Sequence, residues 1–80
     1  MEIETVVDGQ IVCGRIVILC KRILAVEMIP AVGEPLQEYG ERISPADQGV
    51  LYCDDSGEIS PRGMAEAKRV LAEQFRRLNR

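Results

Sequence analysis

The sequence predicts an α+β fold: a curled antiparallel sheet of four or five strands with one C-terminal helix packed on it. Three observations predict this. Asp8-Gly9 joins two stretches that read as strands. The apolar run Ile16-Val17-Ile18-Leu19-Cys20, continued after Lys21-Arg22 by Ile23 to Ile29, is too rich in β-branched residues for a helix. Ser60-Pro61 opens a stretch whose apolar residues recur at three- and four-residue steps.

Eighty residues suit a single domain, 1–80. A chain this short buries a smaller fraction of its surface than a long one, so its core is marginal. A hydrophobic share of 46% with a net charge of −3 suits a globular domain and excludes disorder on composition. The charge is unevenly spread. Residues 31–60 hold seven acids against Arg42, and residues 61–80 hold six bases against Glu66 and Glu73.

Residues 2–7 alternate, with Ile3, Thr5 and Val7 on one face and Glu2, Glu4 and Val6 on the other. Asp and Gly tolerate the positive φ that a type I′ turn needs, so Asp8-Gly9 predicts a two-residue hairpin. The turn sets the register: Val7 faces Gln10, Thr5 faces Val12, Ile3 faces Gly14 and Glu2 faces Arg15. The last is an opposite-charge cross-strand pair, which agrees with that register independently. The second strand runs 10–20, with Gly14 read as a bulge or bend. Val12, Ile16 and Ile18 are then expected under the helix, and Ile11, Cys13, Val17 and Leu19 on the opposite face. A turn at Lys21-Arg22 leads to a third strand, 23–29, ending before Pro30.

Residues 30–49 form an acidic loop punctuated by Pro30, Gly33, Pro35, Gly40, Pro45 and Gly49. A fourth strand is expected at 50–53 and a short fifth at 58–59, across the turn Asp54-Asp55-Ser56-Gly57. The helix, 61–78, starts with Ser60 as N-cap, Pro61 in the first position, and Ile59 and Met64 spaced as a hydrophobic staple. Its stripe is Met64, Ala67, Leu71, Phe75 and Leu78, with Val70 and Gln74 beside it. Arg62–Glu66, Arg69–Glu73 and Glu73–Arg77 are spaced as i,i+4 pairs on the other side. This element order is similar to that of a small SH3-like or Sm-like barrel.

The same sequence excludes much chemistry. With no histidine, it lacks the commonest general base and metal ligand. Ser44, Ser56 and Ser60 lie in turns or beside prolines rather than in a nucleophile elbow. Cys13, Cys20 and Cys53 are expected as small buried hydrophobes, and they lack zinc-ligand spacing. Asp54 to Glu58 lacks the alternating ligands and closing glutamate of a calcium loop. No glycine-rich phosphate loop is present. No cofactor, metal or catalytic residue is expected, and the chain does not read as an enzyme.

The N-terminus Met1-Glu2-Ile3-Glu4 is acidic and lacks a signal-peptide core. Lys21, Arg22 and Glu27 interrupt the apolar run, which argues against a membrane span. A cytoplasmic protein with reduced thiols is expected. The expected function is that of a non-enzymatic protein-interaction module, an adaptor or small inhibitor of the kind that some phage-encoded counter-defence proteins represent. It would present Glu34, Leu36, Glu38, Tyr39, Glu41 and Asp47 to a partner with a basic surface. Apolar residues on both faces of 16–29 predict a homodimer through Ile11, Cys13, Val17 and Leu19. The alternative is a small RNA- or DNA-binding barrel that uses Lys21, Arg22, Arg62, Lys68, Arg69, Arg76 and Arg77. Alternating glutamates on the helix and only three aromatic residues weigh against it.

Overall fold

A computed structural model describes residues 1–29 and 45–78. Strands β1 (Glu2–Val7), β2 (Gln10–Cys20), β3 (Ile23–Met28) and β4 (Gln48–Val50) form one antiparallel sheet in the order β1-β2-β3-β4. Helix α1 (Pro61–Leu78) packs on one face of it. Among the described residues the sheet is open, with β1 and β4 as its edges, so the likeness to a small barrel stops at element order.

Hairpin β1–β2 has the register that the Asp8-Gly9 turn dictates, with Glu2 opposite Arg15, Ile3 opposite Gly14, Thr5 opposite Val12 and Val7 opposite Gln10. Asp8 and Gly9 have φ of 51° and 82°, as a type I′ turn requires. The inner face of the hairpin, Ile3, Val7, Val12 and Ile16, joins Leu24 and Val26 of β3 and Ala67, Val70 and Leu71 of α1 in one core.

Gly14 is not a bulge. Alternation runs through it, and its hydrogen faces the helix. A Cβ there would stand 2.8 Å from Leu71 Cδ1, so the missing side chain is the space into which Leu71 packs. The bulge lies further on, where the β2–β3 register shifts between Ile18 and Cys20. The extra residue reverses the alternation and sends Cys20 to the outer face with its partner Ile23. Ile18, expected under the helix, lies opposite buried Leu24 but is 58% exposed and outside the core cluster, two residues beyond Ile16, which bonds to Met1 on the β1 side.

The expected loop 30–49 ends sooner than its composition implies. Residues 30–44 lie outside the described residues, but Pro45–Asp47 is a 3₁₀ turn and Gln48 already pairs with Ala25. The fourth strand is therefore Gln48–Val50 rather than 50–53. Its partner runs out at Ile23, opposite Val50. Leu51 N–H still donates to the Arg22 carbonyl. The chain then pairs with itself: Cys53 bridges Ile59, and Ser60 N–H donates to the Tyr52 carbonyl. The expected fifth strand is this single bridge.

Helix α1 begins as expected. Ser60 Oγ accepts from Gly63 N–H at 3.2 Å and donates to the Tyr52 carbonyl at 3.1 Å, so one hydroxyl both caps the helix and ties it to the preceding segment. A Cβ on Gly63 would come within 2.4 Å of that carbonyl oxygen, which fixes how closely the first turn is seated. Ile59 and Met64 both pack against the core. The stripe is buried at Ala67, Val70 and Leu71, but Leu78 is exposed at the last turn.

One side chain of α1 completes the sheet. Gln74 Oε1 accepts from Met28 N–H at 2.7 Å, and Gln74 Nε2 donates to the Val26 carbonyl at 3.3 Å. The short β4 pairs only with Ile23, Leu24 and Ala25. Beyond it, the glutamine amide takes the place of a further strand residue.

Candidate interaction surface

The outer face of the sheet carries what α1 does not cover. The register arranges it in rows: Val6 with Ile11, Glu4 with Cys13, and Glu2 with Arg15 and Glu27. Beyond these come Val17 with Ala25 and Gln48, and then Cys20 with Ile23 and Val50. The row with Arg15 between two carboxylates is a charged band. It separates an apolar patch at the hairpin tip from a second patch at Ile23 and Val50. Val6 and Ile11 are 67% and 70% exposed. This directly opposed apolar pair lies open on a sheet face that α1 does not cover. Leu19, at the bulge, is also exposed, Val17 is half-buried, and Ala25 is buried.

The expectation that the cysteines are buried is overturned: Cys13, Cys20 and Cys53 are all free and exposed. Cys13 sits on the outer side of β2 and Cys20 is turned outward by the bulge. Cys53 ends the segment that leaves the sheet. Among the described residues no three His, Cys, Asp or Glu side chains gather as a metal site.

The acidic residues Glu34, Glu38 and Glu41, with Leu36 and Tyr39, lie outside the described residues. Asp47 is half-buried and pairs with Arg77 near the helix C-terminus. One residue from each of the two candidate binding sets thus ties the 3₁₀ turn to α1. Arg69 is held between Glu66 and Glu73, at 2.9 Å from the latter, and these two, Glu66 first, hold its guanidinium above its ordinary pKa. Arg62 does not take the i,i+4 partner Glu66. Its guanidinium lies over the Tyr52 ring, 4.0 Å from the centroid. Lys21 and Arg22 are exposed at the β2–β3 turn, and Lys68 and Arg76 are exposed on α1. The bases therefore do not form one continuous stripe along the helix.

Asp54 organises its turn. Its Oδ1 accepts from the Ser56 hydroxyl, from Ser56 N–H at 2.9 Å and from Glu58 N–H at 3.1 Å. The Ser56 hydroxyl first, and then backbone amides, hold its carboxyl below the usual range against a desolvation effect. These three bonds all converge on Oδ1 from within the turn, which is turn chemistry.

Val6, Ile23 and Val50 were not singled out as contact residues by sequence reasoning. For Val6 a signal was present, since the hairpin register places it opposite Ile11. For Val50 none was, because its outward position depends on pairing with β3 across 27 residues. No protein-family model matches the chain, and no curated protein or solved structure matches it significantly. No helix among the described residues is long and apolar enough to cross a membrane.

Proposed function

We propose that this chain is a non-enzymatic protein-interaction module, an adaptor or small inhibitor. The observation that carries this reading is the open cross-strand pair Val6–Ile11, on a sheet face that α1 leaves bare. The proposal has two contact surfaces. Ile11, Cys13, Val17 and Leu19 meet a second copy of the chain in a homodimer. Glu34, Leu36, Glu38, Tyr39 and Glu41 face a partner with a basic surface. Three exposed thiols suit a reducing, cytoplasmic setting. A counter-defence inhibitor encoded by a phage would have this character: small, acidic in its middle and without catalytic groups.

A pull-down from the native host tests the acidic contact. The wild-type chain should retain a basic protein, and the triple variant Glu34→Gln, Glu38→Gln, Glu41→Gln should lose it. The same partners on both would contradict the proposal.

The second reading, nucleic-acid binding, is supported by exposed Lys21, Arg22, Lys68 and Arg76. Steep loss of RNA or DNA binding with added salt, abolished by Lys68→Ala with Arg76→Ala, would favour it over the first.

A further inference from the structure

The two edges of the sheet are finished differently. At the β3 edge, Gln74 satisfies Val26 and Met28 where β4 stops. At the β1 edge nothing among the described residues does so. The bond from Ile16 N–H to the Met1 carbonyl, 2.8 Å, sets the phase of the ladder. Met1, Ile3, Thr5 and Val7 bond to β2, and Glu2, Glu4 and Val6 turn their N–H and C=O groups outward. Their side chains stand exposed on the outer face.

An open edge is a template for another strand, and its side chains decide which. A second copy of β1 fits badly. Centred on Glu4, an antiparallel pair sets Glu4 against its own equivalent. A shift toward the N-terminus sets Glu2 against Glu4, and a shift the other way brings Glu2 to Asp8. Like charges opposite one another are destabilising. The neighbouring rows of the register are also acidic: Glu2, Glu4 and Glu27 stand in two adjacent rows that hold one base, Arg15.

We propose that the β1 edge binds an extended strand of a partner protein in antiparallel fashion. The partner strand carries basic side chains opposite Glu4 and Glu2 and an apolar one opposite Val6. The glutamates that refuse a second copy select this occupant. The inference rests on the proposed function for the idea of a basic protein partner and shares Val6 with it, but its site, Glu2, Glu4 and Val6, includes none of residues 34–41.

The probe is a capped peptide of alternating threonine and lysine, with valine placed opposite Val6, titrated into the isotopically labelled chain and followed by NMR. The amide signals of Glu2, Glu4 and Val6 should shift and their hydrogen exchange should slow. N-methylation of the peptide residues that face β1 should weaken binding about tenfold or more, from the loss of two or so hydrogen bonds. Methylation of the alternate residues should not. Glu4→Lys should reverse the preference toward a glutamate peptide. The triple variant Glu34→Gln, Glu38→Gln, Glu41→Gln should bind the peptide unchanged, and loss of binding there would assign the peptide to the acidic segment and overturn the edge. Equal binding of both methylated peptides, shifts confined to Val17, Ile23 and Val50, or no binding would also overturn it. So would protection of the Glu4 amide in a dimer of the free chain.

Discussion

Strand β2 has two faces only one residue out of step, and they have opposite fates. Val12, Gly14 and Ile16 point at α1 and are buried. Ile11, Cys13, Arg15 and Val17 point away, and Ile11 is more exposed than not. Both faces hold β-branched residues, so composition does not distinguish them. The inner face is distinguished by fit: a glycine where Leu71 descends, a glutamine that finishes the ladder of β3, and a serine that seats the helix. The outer face has none of these internal fits. Ala25 is buried and Val17 half-buried there, but Val6, Ile11, Ile23 and Val50 stay exposed and outside the core cluster, which is why we assign them to association.

Substitutions can break this contrast, and the largest effect belongs to the inner face. Leu71→Ala removes the side chain that fills the space over Gly14 and should cost about 2–5 kcal/mol in urea unfolding. Its outer counterpart, Ile11→Ala, should change the stability of the dilute chain by no more than about 0.5 kcal/mol and act on association instead. Comparable losses for both would erase the distinction. Gly14→Val overfills the same space and should cost about 1–3 kcal/mol. Leu71→Ala in the same chain should recover part of that loss, since the two changes share one site.

Gln74→Ala should cost about 1–3 kcal/mol, because Met28 N–H and the Val26 carbonyl lose their partner. Gln74→Glu keeps the acceptor and loses the donor, so it should fall between. Amide exchange at Met28 reports the effect directly. If Met28 exchanges no faster in the alanine variant, the glutamine does not close that edge. Ser60→Ala removes the helix cap and should cost about 1 kcal/mol by thermal unfolding.

The smallest effect lies in the Asp54 turn, on neither face. Its carboxyl has a folded-state pKa below the unfolded value of about 3.9. Its contribution is therefore fully present above that value and is lost as pH falls through the folded pKa. The Tm difference between wild type and Asp54→Asn should shrink from neutral pH toward pH about 2. A difference independent of pH would show that ionisation of Asp54 contributes nothing.

Much of the inner face is legible in the sequence because its signals are local. Asp8-Gly9 dictates a register over the whole hairpin, and Ser60-Pro61 marks the start of α1. What is not legible is what depends on distant partners. A strand glycine can mean a bulge or a close approach, and only the position of Leu71 decides which applies to Gly14. Strand β4 begins at Gln48 because Ala25 is there to pair with it, and it ends at Val50 because β3 begins at Ile23. The pairing of Asp47 with Arg77 joins residues that sequence reading assigned to two different partners. The exposure of Cys13 and Cys20 follows from alternation and the bulge rather than from the usual burial of that residue type.

We propose that two copies associate through the exposed part of the outer face, around Val6 and Ile11. Light scattering on the chain eluting from a sizing column, over a range of micromolar concentrations, tests it most directly. The wild type should elute with twice the chain mass, and Ile11→Glu with Val17→Glu should give a folded monomer. A wild-type chain that stays monomeric across the range would contradict it.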